Sequence, residues 1–210
     1  WVAGHVLRHH LDIDKDVTRT AGNWDAEIPP LAPERPITIL GLGELGRAAA
    51  APLIRLGFPV TGWSRSPKSV PDMTCLHGED GLKDALRTAE ILVLLLPNTP
   101  ATENILNADT MGLLPKGAVV INPGRGPLIN DEDLLVALNN GQIGHATLDV
   151  FRVEPLPQEH PFWHHPNVTV TPHIAADTRP YTSAKVIAEN VRRSEAGEPL
   201  LHLVDRQLGY

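Results

Sequence analysis

The stretch Ile37-Thr38-Ile39-Leu40-Gly41-Leu42-Gly43-Glu44-Leu45-Gly46 decides the fold. Its first four residues are short, apolar and β-branched enough to read as a strand buried on both faces, and the alanine-rich run that starts at Leu45 reads as a helix. Between the two, Gly41, Gly43 and Gly46 stand in G-x-G-x-x-G spacing. Alone, that spacing is most simply a glycine turn. Between a strand and a helix each glycine has its own part to play. Gly41 makes the turn, Gly43 lets a pyrophosphate approach the backbone, and Gly46 lets helix pack on strand. The helix N-terminus at Glu44 and Leu45 then offers unpaired N–H groups and a partial positive charge to phosphate.

Outward from this unit the same alternation continues. Strand-like runs fall at 37–40, 60–63, 91–95, 118–122, 145–148 and 168–170, and helix-like runs at 45–56, 81–89, 108–114 and 132–139. For the last helix Asn130 or Asp131 is the N-cap, and Gly141 lies just past its end. Six strands alternating with helices predict an α/β fold, a parallel doubly wound sheet of Rossmann type with right-handed crossovers. Pro52 deletes a backbone donor inside the first crossover helix, so a kink or tightened turn is expected there. Upstream, Val2, Val6, Leu7 and Leu11 recur at helical spacing to about His10, and 12–25 is polar and irregular. Pro29, Pro30, Pro33 and Pro36 then punctuate the approach to Ile37, which places a boundary near Glu27. At the other end 182–195 is helical, and Gly197-Glu198-Pro199 ends it.

Composition narrows the function. The formal charge is −7, from 18 Lys and Arg against 25 Asp and Glu, which argues against a nucleic-acid or anionic-membrane surface while leaving small anionic substrates open. The apolar run 91–96 is stopped by Pro97 far short of a membrane span. Cys75 is the single cysteine, so the expected setting is a reducing, cytoplasmic one. No secretory signal is read, and Trp1 is expected to be an internal position of a longer chain.

At the end of the second strand an NAD-preferring domain carries Asp or Glu for the ribose hydroxyls. Here stand Ser64-Arg65-Ser66, with Lys68 nearby. A carboxylate repels a 2′-phosphate, whereas hydroxyl, guanidinium and ammonium bind it, so NADP(H) is preferred and NAD(H) possible. Three further residues follow later strand runs: Arg125 in INPGRG, Glu154 in LDVFRVEP and His173 in VTVTPHIAA. Separately each has a plain structural reading, as a loop arginine, a turn carboxylate and a satisfied histidine. Ligands of open α/β sheets bind beyond the carboxyl ends of the strands, and all three lie there. A guanidinium, a carboxylate and an imidazole at one place can hold a 2-oxo acid and give it a proton while a nicotinamide gives it a hydride. Among the ten histidines, His160, His164 and His165 invite a metal reading, but no second ligand cluster or helix-borne zinc spacing accompanies them.

WSRSPKS, LLPNTPATENILN, INPGRG, LDVFRVEPLP and VTVTPHIAADTRP, in this order, resemble the D-isomer-specific 2-hydroxyacid dehydrogenases, in their glyoxylate/hydroxypyruvate reductase A branch. The resemblance implies reduction of a small 2-oxo acid, glyoxylate or hydroxypyruvate, in a homodimer. It implies that Arg125 binds the substrate carboxylate and polarises the ketone, that His173 is the acid/base and that Glu154 orients it. It further implies that Asp149 receives the nicotinamide carboxamide and that Leu96, Pro97, Asn98 and Thr99 border the cofactor beside Pro123 and Gly124. The family often has a small residue such as alanine directly before Arg-Gly, where this chain carries Pro123-Gly124. Family members also carry a longer N-terminal part of a substrate domain. On that comparison 1–27 is a crossing helix and linker from that domain, 28–175 binds the dinucleotide, and 176–210 returns to the substrate domain. Two rival expectations are a cofactor-binding fragment without turnover and a corepressor-like, nucleotide-sensing interaction protein.

Overall fold

The structure, a computed structural model, describes residues 1–18, 24 and 27–204. Parts of the expected linker (19–23 and 25–26) and of the expected tail (205–210) lie outside the described residues. Seven strands form one sheet: β1 (Ile37–Leu40), β2 (Val60–Ser64), β3 (Thr74–His77), β4 (Ile91–Leu94), β5 (Ala118–Asn122), β6 (Ile143–Leu148) and β7 (Val168–Val170). Every neighbouring pair is parallel, in the order β3-β2-β1-β4-β5-β6-β7. The helices are α1 (Val2–His10), α2 (Ile13–Val17), α3 (Glu44–Arg55), α4 (Gly78–Arg87), α5 (Ala108–Met111), α6 (Asp131–Asn139) and α7 (Pro180–Ala196).

Strand periodicity explains the two layers. Side chains alternate across a strand, so Ile37, Ile39, Ile91, Val93 and Ile121 point one way and pack with Val6 of α1 and Ala50 and Leu53 of α3. Leu40, Leu92, Leu94 and Val120 point the other way, onto Leu86 of α4 and Leu134 of α6. The central strands β1 and β4 are buried throughout, which is why they read as unbroken apolar runs. Thr38, the polar exception in β1, is satisfied because its hydroxyl donates to Ala85 O at 3.1 Å.

The doubly wound parallel sheet is as expected, with one strand more than the sequence suggested. Thr74–His77 is one of the two edge strands and is exposed at both ends, so it needs no long apolar run and escaped the pattern of doubly buried strands. Two local readings also change. The segment after Asp12 is not wholly irregular, since α2 forms beside an Arg8–Asp14 ion pair at 2.7 Å. The helix expected from 81 starts at Gly78, where Glu79 and Asp80 suit the positive N-terminal end. Pro52 lies inside α3 as expected, and the helix runs on to Arg55 and tightens at its end, where the Leu56 N–H is shared between Pro52 O and Leu53 O, at 3.1 and 3.2 Å. Asn130 is the N-cap of α6, accepting the Asp133 N–H at 3.1 Å.

The chain forms two compact units, Trp1–Ala175 and Ala176–Tyr210. In the second, α7 begins with Pro180, ends at Gly197 (φ 69°), and Asn190 folds the following segment back through paired bonds to Leu201. In the first, strand order reverses at β1, with β2 to one side and β4 to the other. At such a reversal the connections from neighbouring strands run to opposite sides, and ligands of open α/β sheets bind beyond the strand ends there.

Candidate active site

The glycine turn after β1 is built as its spacing requires. Gly41 has φ 110°, and a Cβ there would lie 2.5 Å from Leu95 O, so no other residue fits without moving the backbone after β4. A Cβ on Gly46 would lie 1.8 Å from Gly41 O, which makes this glycine the closest approach of α3 to the turn. Gly43 differs: nothing lies within 4 Å of where its Cβ would be, and as the N-cap of α3 it offers no side chain to the first amides. Open space in front of uncapped N–H groups at the positive end of a three-turn helix fits a pyrophosphate.

Beside it runs the segment after β2. Ser64 is buried and its hydroxyl donates to Ser66 O at 2.8 Å, which turns the chain so that Arg65, Ser66 and Lys68 lie exposed. Lys68 Nζ donates to Leu42 O at 3.2 Å, tying this cationic segment to the glycine turn. This donor set suits a 2′-phosphate. On the β4 side Leu96 is buried and Asn98 exposed, while the Thr102 hydroxyl pins the turn by donating to Pro97 O at 2.6 Å and accepting the Thr99 N–H at 2.9 Å.

The later loops bring two of the three reactive candidates into contact. His173 Nδ1 and Glu154 Oε2 are 2.7 Å apart, although 19 residues separate them. Glu154 Oε1 accepts the Phe151 N–H at 2.8 Å, so one carboxylate closes its own turn and holds the ring. Burial raises the Glu154 pKa, but the hydrogen bonds from His173 and Phe151 and the nearby charge of Arg125 outweigh it and hold the carboxyl below its ordinary range. An ionised carboxylate on Nδ1 leaves Nε2 as the ring nitrogen that can give or take a proton. Arg125, exposed on the loop after β5, donates from Nη1 to Gly124 O at 2.6 Å and makes no hydrogen bond to Glu154 or His173.

Two residues underneath set these loops. Asp149 is fully buried, and its carboxylate accepts the Thr171 hydroxyl at 2.6 Å and the N–H groups of Ile174 and Ala175 at 2.9 and 2.8 Å. These three bonds bracket His173, whose φ of 54° is a left-handed conformation that costs a non-glycine residue about 1–2 kcal/mol. Asn122, also buried, accepts the Gly124 N–H at 3.1 Å and donates to Arg125 O at 3.0 Å. A Cβ on Gly124 would lie 2.8 Å from Leu94 O, so glycine is what lets the Arg125 loop lie this close to β4. Sequence reading missed Asn122 and Thr171 as loop organisers. The available signal was a polar residue at the end of a buried strand, which must find partners. Among the described residues no group of three or more His, Cys, Asp and Glu is placed to hold a metal, and His160 and His165 each use Nδ1 to accept a backbone N–H two residues on, at 3.3 and 3.1 Å.

Comparison with known proteins bears on this arrangement. Residues 2–175 match the family model described as D-isomer specific 2-hydroxyacid dehydrogenase, NAD binding domain. Glyoxylate/hydroxypyruvate reductase A of Photorhabdus laumondii is 47% identical over 174 residues, which cover 83% of this chain and 56% of that protein. The chain therefore spans little more than half the length of that relative. A D-isomer specific 2-hydroxyacid dehydrogenase from Xanthobacter autotrophicus, solved in complex with NADPH and MES, superposes with a TM-score of 0.94 at 47% identity, covering 100% of this chain and 87% of that one. An NADPH-dependent glyoxylate/hydroxypyruvate reductase from Sinorhizobium meliloti, solved with NADP and sulfate, gives a TM-score of 0.95 at 36% identity, covering 100% of this chain and 68% of that one.

Proposed function

Because the chain belongs to the D-isomer specific 2-hydroxyacid dehydrogenase family, we propose that it serves the NADPH-dependent reduction of a small 2-oxo acid, glyoxylate or hydroxypyruvate, to the 2-hydroxy acid. The observation that carries this reading is the Glu154–His173 pair at 2.7 Å, held beyond the carboxyl ends of the strands on the same sheet as an uncapped glycine turn. The N-terminus of α3 at Gly43 to Gly46 would hold the pyrophosphate, and Arg65, Ser66 and Lys68 would receive the 2′-phosphate, with Ser64 shaping their turn through its bond to Ser66 O. Bound there, the reduced nicotinamide supplies the hydride.

The chain's own residues do the rest. Arg125 grips the substrate carboxylate and draws electron density from the adjoining carbonyl, since a guanidinium pairs with a carboxylate through two parallel bonds. His173 delivers a proton from Nε2 to the oxygen as negative charge develops there. Glu154 keeps Nδ1 protonated and the ring oriented. Asp149 supports the His173 loop from below through its bonds to Thr171, Ile174 and Ala175, and it is the residue we assign to the nicotinamide carboxamide. We further read the protein as a cytoplasmic homodimer that engages no nucleic acid. The charge of −7 supports the last point, and light scattering tests the dimer.

The decisive experiment follows NADPH oxidation by absorbance with glyoxylate and with hydroxypyruvate, in wild type and His173→Asn. Turnover in wild type that falls by about 10²–10⁴ in the variant supports the reading. NADPH oxidation unaffected by the substitution refutes the role of His173.

A further inference from the structure

Arg152 lies between Phe151 and Glu154, in the turn that presents Glu154 to His173, yet its guanidinium points to other loops. Nη2 donates to Ile129 O at 2.6 Å, approaches Pro127 O at 3.4 Å and also bonds the Asn104 side-chain carbonyl. Glu103 and Asp131 stand 3.7 and 3.9 Å away, which balances the charge. One side chain therefore joins the segment after β4, the segment just past Arg125 and the turn before Glu154. The backbones show how closely these segments meet. A Cβ on Gly126 would lie 2.0 Å from the Phe151 carbonyl carbon, so the residue after Arg125 touches the residue before Arg152 with no side chain between them. Asn104 N–H donates to Pro127 O at 2.8 Å and Leu106 N–H to Leu128 O at 3.0 Å, which makes the 104–106 and 127–129 segments a short parallel pair under the guanidinium.

We propose that Arg152 is a positioning residue that locks the Arg125 loop to the Glu154 turn, and so fixes the spacing between the guanidinium and the Glu154–His173 pair. Arg125 makes no hydrogen bond to Glu154 or His173, and the three residues come from loops that follow three different strands, β5, β6 and β7. A guanidinium presents its N–H donors in one fixed plane, whereas the three donors of an ammonium rotate at the end of a flexible stem and hold several carbonyl oxygens less firmly. The proposal rests on the functional reading above, in that both halves must address the same small substrate.

The test compares wild type, Arg152→Ala and Arg152→Lys by NADPH fluorescence titration, glyoxylate kinetics and backbone amide hydrogen exchange read separately over 126–130 and 151–154. In the alanine variant glyoxylate KM should rise and kcat fall, each by about tenfold, while the NADPH Kd stays within about twofold, because a small misplacement of reacting groups is enough to lose rate. Exchange should quicken by about tenfold in both segments together, and lysine should restore part of both effects. Kinetics unchanged in a wild type that turns over, exchange that quickens in one segment or in neither, or a parallel loss of NADPH affinity would each overturn the proposal. If wild type reduces neither 2-oxo acid, the functional reading fails on its own, and the clamp stands or falls on the exchange result.

Discussion

Acidification from about pH 7 to pH 5 should loosen α1 from the sheet, through two half-buried histidines that are held uncharged. His9 of α1 and His145 of β6 lie with ring centroids 4.8 Å apart, and each ring nitrogen Nε2 bonds a threonine hydroxyl, Thr147 at 2.8 Å and Thr169 at 2.9 Å. Arg8 also reaches Thr169, at 2.9 Å, and pairs with Asp14, at 2.7 Å. Burial, then the neighbouring His145 and Arg8, push His9 down to about 3. Burial and Arg8 push His145 down to about 4, with His165 adding to the effect and Asp12 and Asp14 opposing it. In the unfolded chain both rings titrate near 6.5, so the unfolded state takes up protons first as pH falls. The stability gained by burying neutral rings is therefore full above about 6.5 and lost as pH drops toward the folded values. At about pH 5 the loss is about 2 kcal/mol per ring, a ceiling that solvent screening of the partly exposed rings lowers. Urea unfolding at constant ionic strength, at both pH values, measures it in wild type and in His9→Gln/His145→Gln, whose amides keep a bond to each threonine without titrating. Wild type should lose clearly more stability than the double variant. An equal loss in both would refute the argument.

Three further outcomes follow from the geometry. Arg65→Asp should narrow or reverse the preference for NADPH over NADH in a fluorescence titration, since each charge-assisted bond to a 2′-phosphate contributes about 1.5–3 kcal/mol; equal affinities in wild type would contradict this. Gly46→Ala should destabilise the protein by about 3 kcal/mol or more and remove NADPH binding, because the new Cβ meets Gly41 O at 1.8 Å; a wild-type urea midpoint would show that α3 can shift freely. Asp149→Asn replaces an acceptor oxygen with a donor facing a donor, so stability to urea should fall by about 1–3 kcal/mol and turnover should drop with it, as the His173 loop relaxes; unchanged turnover would separate Asp149 from His173.

Much of this was legible in the chain itself. The alternation of apolar runs with helical ones is local, and it yielded the parallel sheet and the glycine turn, because a strand buried on both faces and a helix at 3.6-residue period leave signatures within a few residues of one another. The positions of Arg125, Glu154 and His173 just beyond strand runs were legible for the same reason. What the sequence could not contain is which loops touch. Strand β3 lies at one edge of the sheet and is exposed at both ends, so it needs no apolar pattern. The bonds from Asp149 to residues 22 to 26 positions away, the contact of His173 with Glu154, and the reach of Arg152 to Asn104 follow from how the sheet brings distant loop ends together. A hydrogen bond between distant positions leaves no periodicity in either segment, so only the folded backbone decides it.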